Sequence, residues 1–290
     1  MQPPQPALKG GTIPNMRCVR RAAEELAVLY TVHDLYGNLI SIDTQKKIYF
    51  ANYSTPFNSD SIHRICKDKE FTAKLVGEVI QTPRTHSFFD PFPKAEENKC
   101  YIKEKSYEEI AERILSEFSL PVIVKMNSGR QGANVFLAHT SEEVLSSIKE
   151  IFNHTSQHYD YIALAQEYVE RAQEFRVVVF KGEIVLVYEK DFSGATFSGN
   201  LSPLHYENAV AHHVNDPVLI QALTKFIQPL QQVVGVEFAG LDVILNTKGE
   251  MYLVEINSQP GFGIYIRDNG EEEIVSLYKK LIQSLLPPLV

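Results

Sequence analysis

After Asn15 the run MRCVRRAAEELAVLY places Val19, Ala22, Ala23 and Leu26 at helical intervals among charges, which predicts a helix. DLYGNLISID and KKIYFANYS alternate like strands around polar turns at Gly37-Asn38 and Gln45-Lys46. A second helix is predicted over 61–79 and a third after Ser106, with Ile110, Ile114 and Phe118 on one face. LPVIVK is a short apolar strand ending in Lys125, and NSGRQGANVFLA turns at glycines and returns as a strand. Thr140 and Glu143 have capping-box spacing at the start of another helix. Strands follow at 161–168 and 175–180, and Lys181-Gly182 makes a hairpin into 183–188. Residues 189–215 are polar with no periodic element, as expected of a functional or disordered loop. A helix over 217–234 leads to strands 240–246 and 251–257, then a loop over 258–269. The final helix from Glu271 buries Ile274, Leu277, Leu281 and Leu285. Helices alternating with hairpins predict an α+β fold and not a doubly wound parallel sheet.

The chain has 290 residues, about two units at roughly 150 residues per domain. No apolar run reaches the ~18 residues of a membrane span, and the Pro-rich start MQPPQPALKGG lacks the apolar core of a secretory signal. Cys18, Cys66 and Cys100 lie far apart, without zinc spacing or a disulfide framework; the reading is reduced thiols in a cytoplasmic protein. The net charge of −8 disfavours nucleic acid and anionic membrane, so phosphate must meet a few placed cations.

Those cations and their counterparts fall into three groups. Asp242, Glu255 and Asn257 lie on two adjacent predicted strands, and the spacing of two puts Glu255 and Asn257 on one strand face. Two carboxylates and an amide oxygen make a hard site suited to Mg²⁺ held jointly with substrate phosphates. Lys125 closes its strand against a turn whose Gly129 and Gly132 allow backbone N–H groups of Ser128–Ala133 to cradle phosphate. This turn is not a Walker A sequence, since no Gly-Lys-Ser/Thr follows. LAQEYVE ahead of Glu174-Phe-Arg176 offers an edge segment able to read an adenine and an acid able to hold ribose.

In this order the residues resemble the ATP-grasp superfamily of carboxylate–amine ligases over about residues 62–285, most specifically in GLDVILNTKGEMYLVEINSQPGF. The resemblance implies an ATP-grasp fold of two α+β lobes clasping ATP behind a truncated N-terminal αββ preface. The corresponding division is a disordered leader 1–14, a short segment 15–60, a first lobe 61–165 and a second lobe 166–290 carrying the metal site. It implies ATP and two Mg²⁺, with Mn²⁺ as a substitute, held by Asp242, Glu255 and Asn257. Lys69 and Lys125 would be the phosphate lysines and Ser128, Gly129, Gln131 and Gly132 the flap. Gln166, Glu167, Tyr168 and Val169 would form the adenine hinge, and Glu174 would hold ribose. EFRVVVFKGEIV, Lys190 and FSGN resemble the ligases that add glutamate to protein C-termini, where Arg176, Lys190 and Asn200 would face the transferring phosphate.

The implied reaction is amide or peptide bond formation through an acyl phosphate, between small-molecule or peptide carboxylates and amines, by a chain free to form a homo-oligomer. A small-molecule kinase on the same scaffold and a non-catalytic ATP-binding subunit are the alternatives. Arg267, in the loop after N-x-x-P-G, is expected to read a substrate carboxylate with its planar fork.

Overall fold

A computed structural model of the chain describes residues 10–44, 46–129, 134–194 and 208–287. Most of the leader, Gln45, Gln131, Gly132 and Asn200 lie outside them. Helix α1 (Pro14–Glu25) starts with proline, which needs no hydrogen-bond acceptor in a first turn. Three strands follow, β1 (Tyr30–Val32), β2 (Leu39–Asp43) and β3 (Lys47–Ala51), one more than the pattern predicted. They form an antiparallel sheet in that order, and its inner residues Tyr30, Ile40, Ile42 and Phe50 pack with Val19 and Ala22 of α1.

The helix expected over 61–79 is two helices, α2 (Asp60–Lys67) and α3 (Lys69–Val76). Asp68 between them adopts an extended conformation and caps α3, its carboxylate accepting from the Phe71 N–H. The break turns Lys69 into the first residue of a helix. Strand β4 (Thr85–Phe89), which the pattern missed, then joins a sheet with β5 (Val122–Met126), β6 (Val135–Ala138) and β7 (Ile162–Glu167), in the order β4-β7-β5-β6. Every pairing in it is antiparallel. Helices α4 (Tyr107–Glu117), capped by Ser106, and α5 (Ser141–Ile151), capped by Thr140, bury Ile110, Ile114, Val144 and Ile148 against Val122, Val124, Ala163 and Ala165.

The remaining strands make a five-stranded antiparallel sheet, β10-β9-β8-β11-β12. They are β8 (Arg171–Phe180), β9 (Glu183–Asp191), β10 (Val210–His213), β11 (Phe238–Asn246) and β12 (Met251–Asn257). The segment 189–215 therefore holds the end of β9 and all of β10, contrary to the reading of one featureless loop. Likewise α6 (Pro217–Ile227) and α7 (Leu230–Val233) are separate, parted at Gln228-Pro229. The expected loop 258–269 contains α8 (Gly263–Asn269), and α9 (Glu272–Gln283) closes the chain.

One face of this sheet sends Phe175, Val177, Val179 and Leu241 against α6, α7 and Cys66 of α2. The other face is divided. Val178, Phe180, Leu186 and Phe238 join the core beneath α1 and α9, while Glu174, Arg176, Lys190 and Asp242 continue the same face as charge. Partners outside the sheet claim backbone groups at both of its edges. At β10, Arg267 Nη2 donates to Ala209 O (2.6 Å), Asn269 Nδ2 to Ala211 O (2.7 Å), and Ala211 N–H to Asp268 Oδ2 (2.8 Å). At β12, Leu253 N–H donates to Gln81 O (2.9 Å).

Candidate active site

In the four-stranded sheet, Lys125 is 5% exposed and its ammonium donates to Gln166 Oε1 at 2.9 Å, on the neighbouring strand. Gln166 in turn donates to Thr85 Oγ1 (2.9 Å). Burial, and then the charge of Lys69, push the Lys125 pKa down to about 8, with Glu255 opposing. Glu167 N–H is given to Arg84 O (2.9 Å), and Tyr168 and Val169 follow in the link from β7 to β8, where the chain passes from one sheet to the other. The glycine turn is anchored at its first residue: Ser128 N–H and Oγ both donate to Asp160 Oδ2, at 2.7 and 2.8 Å.

Lys69 joins the two sheets. Its ammonium donates to Gly129 O (2.7 Å) and Asn127 O (3.4 Å), and lies 3.5 Å from Glu255 Oε1 on β12. Asn127 also accepts the Glu70 N–H (2.9 Å), so the start of α3 is tied to the foot of the turn. Lys69, Lys125, Gln166, Thr85, Cys66 and Glu255 line one cavity of about 20 Å³, room for about one water.

On the five-stranded sheet Asp242 stands opposite Glu255 on one side and Arg176 on the other. Asn257 lies two residues beyond Glu255, opposite Gly240. Arg176 grips Asp242 with a fork, Nε to Oδ1 at 2.5 Å and Nη2 to Oδ2 at 3.2 Å. Lys190, 2% exposed, sits between Asp242 Oδ1 (2.8 Å) and Glu174 Oε1 (2.7 Å), and Arg171 holds Glu174 Oε2 at 3.0 Å. Burial favours the neutral acid at Asp242, but Arg176 and Lys190 outweigh it and hold its pKa below the usual carboxylate range. Burial also works against the Lys190 charge, and Asp242 and Glu174 raise its pKa in spite of that.

Lys69, Lys125, Ser128, Gly129, Gln166 and Glu255 thus form one group and Glu174, Arg176, Lys190 and Asp242 another, joined where Asp242 and Glu255 pair across the ladder, with Asn257 two residues on. Arg267 is elsewhere. Its fork is taken by Asp268 (2.5 and 2.8 Å) and by Ala209 O, on the outer edge of the sheet.

Three residues were missed from sequence. Arg171 and Asp160 carry no motif. Gly240 did carry a signal, being a glycine inside the apolar strand FAGLDVIL. A Cβ there would lie 2.7 Å from Arg176 Cδ and 3.1 Å from its Nη1, so the glycine is the space the arginine occupies.

The RimK-like ATP-grasp domain family matches residues 95–285 of this sequence. The chain belongs to that family, which uses ATP. Lys69 lies ahead of the matched span. A protein named probable alpha-L-glutamate ligase, from Enterobacter sp. (strain 638), is 27% identical over 143 residues, 49% of this chain and 43% of that protein. D-alanine–D-alanine ligase B of Clostridium perfringens is 24% identical over 207 residues, 68% of this chain and 59% of that one. The match therefore spans less than half of the first relative's length. The crystal structure of the Bacillus anthracis D-alanine–D-alanine ligase complexed with ATP shares the fold, with a TM-score of 0.51 at 17% identity over 76% of this chain and 64% of that one. Among the described residues no helix is long and apolar enough to cross a membrane.

Proposed function

We propose that this protein is an ATP-dependent ligase that joins a carboxylate to an amine, residues 61–165 and 166–290 forming the two lobes that hold ATP between them. The observation that carries the reading is the position of Lys69. One ammonium bridges the glycine turn to Glu255, which puts phosphate-binding elements beside a pair of carboxylates. Family membership supports ATP as the substrate, and the names of the relatives support amide formation.

The donor chemistry suits a magnesium ion, which would take the carboxylate oxygens that Arg176, Lys190 and Lys69 hold here. Asp242 and Glu255 face each other across the ladder and Asn257 adds an amide oxygen, while no cluster of three or more His, Cys, Asp or Glu ligands exists among the described residues. Two carboxylates with substrate phosphates are how Mg²⁺ is usually held. Bound there, Mg²⁺ would neutralise phosphate charge, and two ions are our reading of the site.

The chain's own groups do the rest by positioning and charge, since phosphoryl transfer asks for little covalent help. Lys125 and Lys69 would receive phosphate oxygens, Lys125 exchanging a neutral amide for an anion. The link 166–169 would hold the adenine end. Arg176 and Lys190 would stabilise charge on the phosphoryl group as it passes to the substrate carboxylate; the amine then displaces phosphate from the acyl phosphate. Lys69 spans the cavity's lining from the glycine turn to Glu255, so phosphate entering there would replace Glu255 as its anionic neighbour.

We place the reaction in the cytoplasm, on small-molecule or peptide substrates. ADP release is the test. A ligase forms ADP only when carboxylate and amine are both present, whereas a stable phosphorylated product without amine would make it a kinase. Glu255→Gln should abolish ADP formation with the fold intact; wild-type turnover in that variant removes Glu255 from the site.

A further inference from the structure

The loop that follows Asn257 is held from behind by the N-terminal segment, across very long sequence separations. Asn58, between β3 and α2, is the centre of this support. Its Nδ2 donates to Phe238 O (2.6 Å) and Ser258 O (3.3 Å), and its Oδ1 accepts from Glu237 N–H (2.9 Å) and Phe238 N–H (3.2 Å). The β11–β12 register ends at the Gly240–Asn257 pair. Asn58 therefore supplies the next rung, an amide side chain tying the start of β11 to the residue after Asn257. Around it, Gln259 donates to Ser54 Oγ (2.5 Å) and His63 Nδ1 meets Ser258 Oγ (2.8 Å). Asn15, 1% exposed, accepts the Phe262 N–H (3.0 Å) and donates to Pro260 O (2.9 Å).

We propose that Asn58 is a positioning residue for the divalent-cation site. It fixes the backbone at Phe238 and Ser258, and through it the angle at which Asn257 presents its amide oxygen. The inference rests on the reading of Asp242, Glu255 and Asn257 as metal ligands. Mg²⁺ demands near-ideal octahedral geometry, and groups that orient ligands typically change metal affinity by about 10–100-fold. The short N-terminal segment is then part of the catalytic site's construction and not a separable appendage.

The test is a Mn²⁺ titration of the 290-residue chain in the presence of ADP, with free Mn²⁺ read by electron paramagnetic resonance, on the wild type, Asn257→Ala, Asn58→Asp and Ser54→Ala. Asn58→Asp keeps the shape and the two accepted bonds and loses both donations. Its added negative charge alone would draw a cation closer, so weaker binding isolates the lost geometry. The expected result is about tenfold weaker Mn²⁺ binding in Asn58→Asp, a smaller loss in Ser54→Ala, and a KM for ATP at saturating Mn²⁺ within twofold of wild type. Weakening by Asn257→Ala with wild-type affinity in both Asn58→Asp and Ser54→Ala overturns the positioning role and leaves the site assignment standing. Wild-type affinity in Asn257→Ala overturns the assignment, and the inference with it. Should Asn58→Asp not fold, Ser54→Ala decides alone by the same criterion.

Discussion

Two buried lysines, one on each sheet, differ in what faces them. Lys190 is placed between two carboxylates and near two arginines, Arg171 and Arg176, in a cluster where opposite charges alternate. Lys125 is equally buried, but its hydrogen-bond acceptor is a neutral amide and the charge that acts on it most is another cation, Lys69. In the first arrangement two carboxylates already hold the lysine's charge, so removing it costs stability as well as a group for the transferring phosphoryl. The second leaves a charge that Glu255 offsets only in part, held at a cost in stability, and a bound phosphate would supply what is missing. Burial alone does not distinguish a lysine already held by carboxylates from one whose hydrogen-bond acceptor is neutral; the partner does.

The largest effect should come from Lys190→Met. It leaves Glu174 and Asp242 buried without their shared cation, and breaking such a pair costs about 3–5 kcal/mol. Denaturant unfolding measures it, and a loss below about 1 kcal/mol would deny that the cluster is cooperative. Lys125→Met should go the other way. Between pH 8 and 10.5 the unfolded chain holds the Lys125 proton and the folded chain does not, so stability rises with pH across that window. At pH 7 the buried charge therefore costs roughly 3 kcal/mol, and the donor lost to Gln166 returns about 1 of it. The variant should be up to about 2 kcal/mol more stable than wild type at pH 7, the gap closing above pH 8.

The same variant should lose nucleotide stabilisation. Ligand at a hundred times its Kd adds about 2.7 kcal/mol to a protein that binds it only when folded. The Mg-ATP shift in Tm should be large in wild type, small in Lys125→Met, and should shrink in wild type as pH passes 8. An equal shift in both proteins at pH 7 places the phosphates elsewhere. The smallest effect should be Arg267→Lys. An exposed pair is worth about 1 kcal/mol or less, and both substrate KM values should stay within twofold. A tenfold rise in one KM would return Arg267 to the substrate pocket.

What the sequence showed and hid follows from range. The Asp242–Glu255 pairing was legible because a short hairpin and period-2 alternation set it locally. The grip of Arg176 on Asp242 was not, since it depends on β8 pairing with β11 across 66 residues. Amphipathic spacing continues through Asp68, so the break that starts α3 at Lys69 could be seen only as a cap in three dimensions. Strand β10 is four residues long with two histidines, too short and polar to signal itself. It pairs with β9 and is braced by α8, a helix of seven residues whose Ile264, Tyr265 and Ile266 run consecutively and give no helical spacing. Gln166 was expected at the adenine and is found on Lys125, because the lysine's need for an acceptor is invisible until β5 and β7 are laid side by side.

The side-chain clasp of α8 on β10 bears on how the molecule behaves in a crowd. A sheet edge with unclaimed N–H and C=O groups is a template on which another chain can add a strand. Here an arginine, an aspartate and an asparagine satisfy the outward groups at Ala209 and Ala211, and Gln81 claims Leu253 at the opposite edge. Recruitment of a second chain by strand addition would first have to strip those bonds away. Strand addition at the β10 edge should stay blocked for as long as α8 remains docked.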